Sequence, residues 1–113
     1  MADQLWYEKM PVAVTVCDRD GVIVDMNEKA GETFRKWGGK KLIGQSLLDY
    51  HPEPARAKLV EMLRTQQANT YYIEKAGRRK IIHQTPWRVD GEYRGFVEIS
   101  FELPDELPTH KRG

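Results

Sequence analysis

Apolar residues near the start of the chain come in two short runs that a polar break separates. Residues 12–17 are rich in β-branched side chains, residues 18–21 (Asp-Arg-Asp-Gly) interrupt them, and residues 22–26 resume the apolar pattern. Gly21 supplies the positive φ that a tight reversal needs. We therefore predict a β-hairpin at this end of the chain.

Helical spacing follows the hairpin. Asn27 suits a helix N-cap, because its side chain can accept a hydrogen bond from a free backbone N–H, and apolar residues then recur at helical spacing as far as Trp37. We predict a helix over residues 28–37. A second helix is predicted over residues 53–67 by an apolar stripe that includes Leu59.

Three β-rich runs, separated by glycine-bearing turns, close the pattern. They cover residues 70–74, 79–87 and 93–102. Pro86 lies inside the second of them, which predicts a local sheet edge or a bulge. The element order β-β-α-α-β-β-β predicts an α+β fold, with a five-stranded antiparallel sheet and helices covering one face.

The last strand has apolar residues at both parities. Val97, Ile99 and Phe101 form one set, and the other set contains Phe96 and Glu98. We predict that residues 97, 99 and 101 face the core, which argues against Glu98 as a pocket residue.

Composition limits the classes of function. A chain of 113 residues is one domain, and 18 basic against 17 acidic residues give a net charge of +1. This balance provides no general attraction to nucleic acid or to an anionic membrane, so neither is an expected partner. The single cysteine, Cys17, excludes an internal disulfide, and the N-terminus has no signal-peptide pattern. We predict a cytoplasmic protein.

Motifs for catalysis are missing from the sequence. It contains no nucleophile elbow, phosphate-binding loop or zinc-protease pattern. The three histidines and one cysteine do not have the spacing of a zinc site. We predict that the protein is not an enzyme and has no metal site other than the haem alternative considered below.

The order of elements, together with particular residues, resembles the PAS family. Residues 18–27 are similar to the family's D-x-x-G-x-I-x-x-x-N stretch, Ala30 and Phe34 follow on the first helix, and residues 42–47 resemble its hydrophobic-Ile-Gly segment. The resemblance covers about residues 5–102. It implies a sheet with helices folded over one face, and a sensor that binds haem, a flavin, a small metabolite or nothing.

We predict three parts in the chain: an N-terminal helical cap (1–11), the PAS domain (12–103) and a flexible tail (104–113). A helix as short as this cap is not stable alone, so it must dock on its own domain or on a second copy. We predict a homodimer through the cap and the outer sheet face. The residues predicted at this interface are Leu5, Trp6 and Met10.

Three functions follow from the resemblance. The leading prediction is a regulatory sensor that binds a small ligand between helices and sheet. The second is a ligand-free module that dimerises or docks on a signalling protein, and the third is a haem-based gas or redox sensor with His51 on the iron. Flavin–thiol photochemistry is not expected, because Leu47 stands where the resemblance implies a reactive cysteine.

The predicted ligand site combines aromatic, aliphatic and polar side chains, as small-molecule pockets do. No motif identifies the ligand. The predicted site residues are Phe34, Leu42, Leu48, Tyr50, His51, Leu59, Leu63, Tyr72, Gln84 and Trp87.

Overall fold

Five antiparallel strands form one sheet in the structure, a computed structural model that describes residues 6–113. The spatial order of the strands is β2-β1-β5-β4-β3. Their bounds are β1 Ala13–Asp18, β2 Ile23–Met26, β3 Asn69–Lys75, β4 Arg78–Val89 and β5 Glu92–Glu102. Two helices, α1 (Glu28–Thr33) and α2 (Ala55–Thr65), and three 3₁₀ turns lie between β2 and β3. The predicted α+β architecture is confirmed.

Helix α1 is shorter than the 28–37 predicted from its spacing. It ends at Thr33, and a 3₁₀ turn follows over Arg35–Trp37. The carbonyl of Phe34 accepts hydrogen bonds from the backbone N–H groups of both Trp37 and Gly39, at 2.9 and 3.0 Å. The first bond is of the tighter 3₁₀ type, and the second spans five residues, as at the Schellman-type end of a helix.

Asn27 caps α1 as predicted and also joins three segments of the chain. It is fully buried. Its Oδ1 accepts from the backbone N–H groups of Ala30 and Val14, both at 3.0 Å, and its Nδ2 donates to the carbonyls of Tyr7 at 2.7 Å and Val12 at 2.8 Å. One amide thus holds the N-terminal segment, β1 and α1 together.

The N-terminal segment is attached to the domain by polar contacts. Residues 6–9 of the predicted helical cap form a turn. The Tyr7 hydroxyl donates to Asp25 at 3.0 Å, and Lys9 forms an ion pair with Glu28 at 2.8 Å. The hydrogen bond to Asp25 is the first cause of a raised pKa at Tyr7. This segment therefore packs beside β2 and α1.

The face of β5 that packs against the helices is opposite to the one predicted. Phe96 and Ser100 are each 5% exposed, whereas Phe101 is 39% exposed. The prediction that residues 97, 99 and 101 face the core is wrong, because the helices cover the face that carries Phe96, although the opposite face of β5 is the more apolar one. Phe96 packs in the core with Cys17 of β1 and Met62 of α2.

Pro86 lies at a local edge, and a bulge follows it, as the proline predicts. Pairing between β3 and β4 ends at Asn69 and Gln84, so β4 has β5 alone beside it at Pro86. The register with β5 shifts between Trp87 and Arg88. A proline at this point breaks no ladder hydrogen bond to β3.

The residues after β5 have no regular secondary structure. Leu103 donates its backbone N–H to the Arg79 carbonyl at 2.9 Å, and the following residues to Gly113 are exposed. No helix within residues 6–113 is long and apolar enough to cross a membrane.

Candidate functional site

A cavity of about 270 Å³ lies between the helices and the inner face of the sheet. Its walls come from β1, β2, β4 and β5 on one side and from α2 and the 3₁₀ turns on the other. An apolar cavity of about 150 Å³ binds benzene, so this one suits a ligand of roughly ten to twelve non-hydrogen atoms. Folded cores contain few voids larger than a water molecule.

Most of the lining is apolar. Helical segments contribute the larger side chains, and the strands contribute the floor. The apolar lining residues are Ile23, Met26, Phe34, Trp37, Leu42, Leu47, Leu59, Met62, Phe96 and Val97.

A row of polar side chains crosses the floor of the cavity, and we call it the polar row: Thr15, Glu98, Gln84 and Asn69. Cross-strand pairing places Thr15 opposite Glu98, Glu98 opposite Gln84, and Gln84 opposite Asn69. Asn69 Nδ2 donates to Gln84 Oε1 at 3.3 Å, and Gln84 Nε2 donates to Glu98 Oε1 at 2.8 Å. Thr15, Gln84 and Glu98 line the cavity itself.

Two further polar side chains line the cavity from the segment between the helices. His51 bonds through Nδ1 to the Leu47 carbonyl at 2.7 Å. The Tyr50 hydroxyl donates to the side-chain oxygen of Gln45. Both residues are therefore oriented by their own neighbours before any ligand binds.

The carboxylate of Glu98 affects the acidity of groups around it. Burial is the main cause of the raised pKa of the Cys17 thiol, and the charges of Asp18 and Glu98 add to it. Burial also raises the pKa of Tyr71, with the Glu98 charge as the second cause. Cys17 is thus held as a protonated thiol in the cavity wall, with low reactivity.

The structure brings six of the ten predicted ligand-site residues to the cavity: Phe34, Leu42, Tyr50, His51, Leu59 and Gln84. The other four, Leu48, Leu63, Tyr72 and Trp87, do not line it.

Each of these four side chains has another environment. Leu48 and Leu63 approach Gly21 at the turn between β1 and β2. Tyr72 is 56% exposed on the outer sheet face, with the Arg79 guanidinium 4.6 Å from its ring centre. The Trp87 indole donates to the Cys17 carbonyl at 3.2 Å.

Sequence reasoning missed several lining residues, among them Thr15, Cys17 and Glu98. Glu98 was set aside because its parity was assigned to the outside of the sheet, and that assignment is corrected above. Its signal in the sequence is a carboxylate placed directly between two apolar residues, Val97 and Ile99.

Haem does not fit the residues present. The cavity holds roughly ten to twelve non-hydrogen atoms, far fewer than a porphyrin contains. Its described lining includes no arginine or lysine to pair with the two haem carboxylates, while Glu98 would oppose them. Among residues 6–113, no group of three or more His, Cys, Asp or Glu side chains is placed to hold a metal ion.

Comparison with known proteins agrees with the architecture. The family model described as PAS fold matches residues 7–105. No curated protein is similar enough in sequence to count as a relative.

Three solved structures illustrate the similarity. The PAS domain of Bordetella pertussis BvgS is 15% identical, with 88% of this chain and 82% of that chain aligned and a TM-score of 0.67. The Vibrio cholerae VqmA dimer is 20% identical over 88% of this chain and 49% of that one, with a TM-score of 0.63. The Vibrio cholerae Aer2 receptor, described as a dual PAS-heme oxygen sensor, is 18% identical over 82% and 95%, with a TM-score of 0.58. At these identities the similarity shows the fold alone.

Proposed function

Because this chain belongs to the PAS fold family, we propose that it is a signalling sensor domain that binds a small ligand between its helices and its sheet and acts as a homodimer. The family match over residues 7–105 supports the sensory class, since PAS domains are sensory modules of signalling proteins. We assign the domain no catalytic role. We also propose a cytoplasmic location, with which an unpaired, buried Cys17 is consistent.

The cavity is the observation that carries the ligand-binding proposal. Its lining includes Trp37 and Tyr50, which are 52% and 36% exposed, so the cavity reaches the surface and a ligand can enter it. Burying its apolar walls against a ligand is favourable by roughly 25 cal/mol per Å² of apolar surface. A molecule that covers these walls and bonds to the polar row would therefore be stabilised in the cavity. This favours the ligand-binding function over a ligand-free interaction module.

Native mass spectrometry of the gently purified protein tests the proposal directly. We expect a fraction of the protein to carry one additional small mass, which denaturation releases. A protein that shows no added mass and is not stabilised by any member of a metabolite library would contradict ligand binding. A clean dimer in the same spectrum would then support the interaction module.

Blocking the cavity should separate binding from folding. Leu59, on α2, lines the cavity and is 9% exposed, whereas its neighbour Val60 is 46% exposed. We expect Leu59→Trp to weaken binding of the retained small molecule at least about tenfold, because the indole occupies ligand space. Val60→Trp is the matched control and should bind normally. Equal affinities of the two variants, measured by calorimetry, would contradict this location of the site.

The dimer proposal is supported by uncovered apolar side chains. Trp6 is 78% exposed, and Met10, four residues later, is half-buried, while Leu5 lies outside the described residues. The outer sheet face exposes Tyr72 and Phe101 at 56% and 39%. The solved VqmA structure is described as a dimer. A second copy of this chain is the proposed partner for these surfaces, with a signalling protein as the further partner.

Truncating Trp6 should weaken the dimer. Large aromatic side chains contribute most to interface energies, so Trp6→Ala should raise the dimer dissociation constant at least about tenfold in sedimentation equilibrium. Leu107→Ala provides the control, because Leu107 is also exposed but follows the last strand. A wild-type protein that sediments as a monomer at micromolar concentration would exclude the homodimer.

A further inference from the structure

The chemistry of the polar row fixes which of its groups donate hydrogen bonds and which accept them. An ionised carboxylate only accepts hydrogen bonds, so the group of Gln84 that faces Glu98 at 2.8 Å must be the amide nitrogen. The Gln84 oxygen is then turned toward Asn69, whose amide nitrogen donates to it at 3.3 Å. The hydrogen bonds of Asn69 and Gln84 therefore both run toward Glu98, which is an acceptor.

Glu98 has acceptor capacity left over. Within residues 6–113, Gln84 is the one side chain that donates to it, and it does so at Oε1. Glu98 lines the cavity, and no fully buried side-chain nitrogen or oxygen among the described residues lacks a partner. Its second oxygen, Oε2, is therefore accessible from the cavity and available to a donor.

The polar residues of the opposite wall also offer acceptors. A carbonyl accepts, so His51 must donate Nδ1–H to Leu47, and in the neutral ring its Nε2 then carries a lone pair. The Tyr50 hydroxyl donates its hydrogen bond to Gln45, so its oxygen lone pairs remain available as acceptors. The donors of His51 and Tyr50 are thus used within the protein.

The charge of the cavity lining also favours a ligand that donates hydrogen bonds. Glu98 is its one carboxylate, and the described lining contains no lysine or arginine. An anionic ligand would face Glu98 without a counter-charge, which is unfavourable in a partly desolvated site. A cation or a neutral donor would be favoured there, since hydrogen bonds to a carboxylate are among the stronger ones in proteins.

We infer that the ligand of this cavity is a small, mainly apolar molecule that carries N–H or O–H donors and is neutral or cationic, with arylalkylamines as the simplest members of the class. The apolar walls take the body of the molecule, and Glu98 takes a donor. Carboxylates and phosphates are disfavoured by the same carboxylate. This inference rests on the proposed ligand-binding function.

A matched probe series tests the inference on the wild-type protein. The probes are 2-phenylethylamine, ethylbenzene and 3-phenylpropionate, which share an aromatic ring and a short chain and differ in charge. We expect the amine to bind about tenfold more tightly than the hydrocarbon, and the carboxylate to bind weakest, in titrations followed by protein NMR. Binding of the carboxylate as tightly as the amine would overturn the inference and leave the ligand-binding function intact.

Two variants, each of which removes one carboxylate, test whether Glu98 causes the preference for the amine. Glu98→Gln keeps the size of the side chain and can still bond to Gln84, so the fold should be retained. We expect it to lower amine affinity at least about tenfold and to change ethylbenzene affinity by less than about twofold. Glu102→Gln is the control: Glu102 lies on the same strand and forms an exposed ion pair with Arg78, outside the cavity lining.

The outcomes distinguish a failure of the proposed ligand class from a failure of the ligand-binding function. An amine preference that survives Glu98→Gln, or that Glu102→Gln also removes, would overturn the role of Glu98 and with it the ligand class. If none of the three probes binds the wild-type protein at millimolar concentration, and native mass spectrometry finds no retained molecule, the ligand-binding function and this inference both fail.

Discussion

Replacing Gly95 by alanine should destabilise the domain by about 3 kcal/mol or more, the largest effect we expect from any single methyl group. Gly95 lies in β5, opposite Asp18 on β1 and Trp87 on β4, with a φ of +142°. A Cβ at this position would overlap the Cys17 carbonyl oxygen and lie 2.7 Å from the Asp18 Cα. Those are backbone atoms of the neighbouring strand, so β1 and β5 would have to separate locally.

The loss should be visible in thermal unfolding. A change of about 3 kcal/mol corresponds to a fall in Tm of about 12 °C or more for a domain of this size. The hydrogen bond from the Trp87 indole would be weakened as well, because it is donated to the same Cys17 carbonyl.

Gly91→Ala separates steric overlap from backbone strain. Gly91 also has a positive φ, +80°, but a Cβ there would meet nothing within 4 Å. We expect this control to cost about 1 kcal/mol, the strain of a non-glycine residue in that conformation. If the two variants unfold at the same temperature, overlap with β1 is not what requires glycine at position 95.

Removing the amide of Asn27 should be similarly damaging. Asn27→Ala eliminates the N-cap of α1, which is worth about 1 kcal/mol, and leaves buried backbone groups without partners at about 1–3 kcal/mol each. We expect a total loss of about 3 kcal/mol or more in urea unfolding. Ser46→Ala is the control, because Ser46 caps a 3₁₀ turn through a single hydrogen bond to Leu48 at 3.2 Å.

An isosteric change tests the donor half of Asn27 alone. Asn27→Asp keeps an acceptor for Val14 and Ala30 but directs a carboxylate at the carbonyls of Tyr7 and Val12. Folding should raise the pKa of that carboxyl, because its charged form is buried against two acceptors. The deficit relative to wild type should therefore be full at pH 7 and decrease as pH falls toward about 4. A deficit independent of pH between 4 and 7 would contradict the assigned bonds.

Local patterns in the sequence predicted most of the architecture. The glycine at position 21 has the expected positive φ, +86°, between β1 and β2, and Asn27 caps α1. These features depend on residues close to one another in the chain, so their chemistry can be recognised without knowledge of the fold. The length of α1 was overestimated, because its end is set by turns around Gly38 and Gly39 rather than by spacing.

Local patterns predicted fewer of the residues of the candidate site. Aromatic and aliphatic lining residues such as Phe34 and Leu59 were identified by their helical spacing, and His51 by its position beside the second helix. Tyr72 was predicted to line the site, yet it is exposed on the outer face. Glu98 was set aside because residues 97, 99 and 101 were predicted to face the core.

The sequence by itself determined the element order, the turns, the cap of α1 and the family, because each depends on neighbours along the chain. Only the tertiary structure decided which face of β5 the helices cover, and hence that Glu98 and Gln84 share a cavity with His51. Alternation in a strand distinguishes two faces without saying which is inside when both carry apolar residues. That choice depends on contacts between residues far apart in the chain, which no local pattern contains.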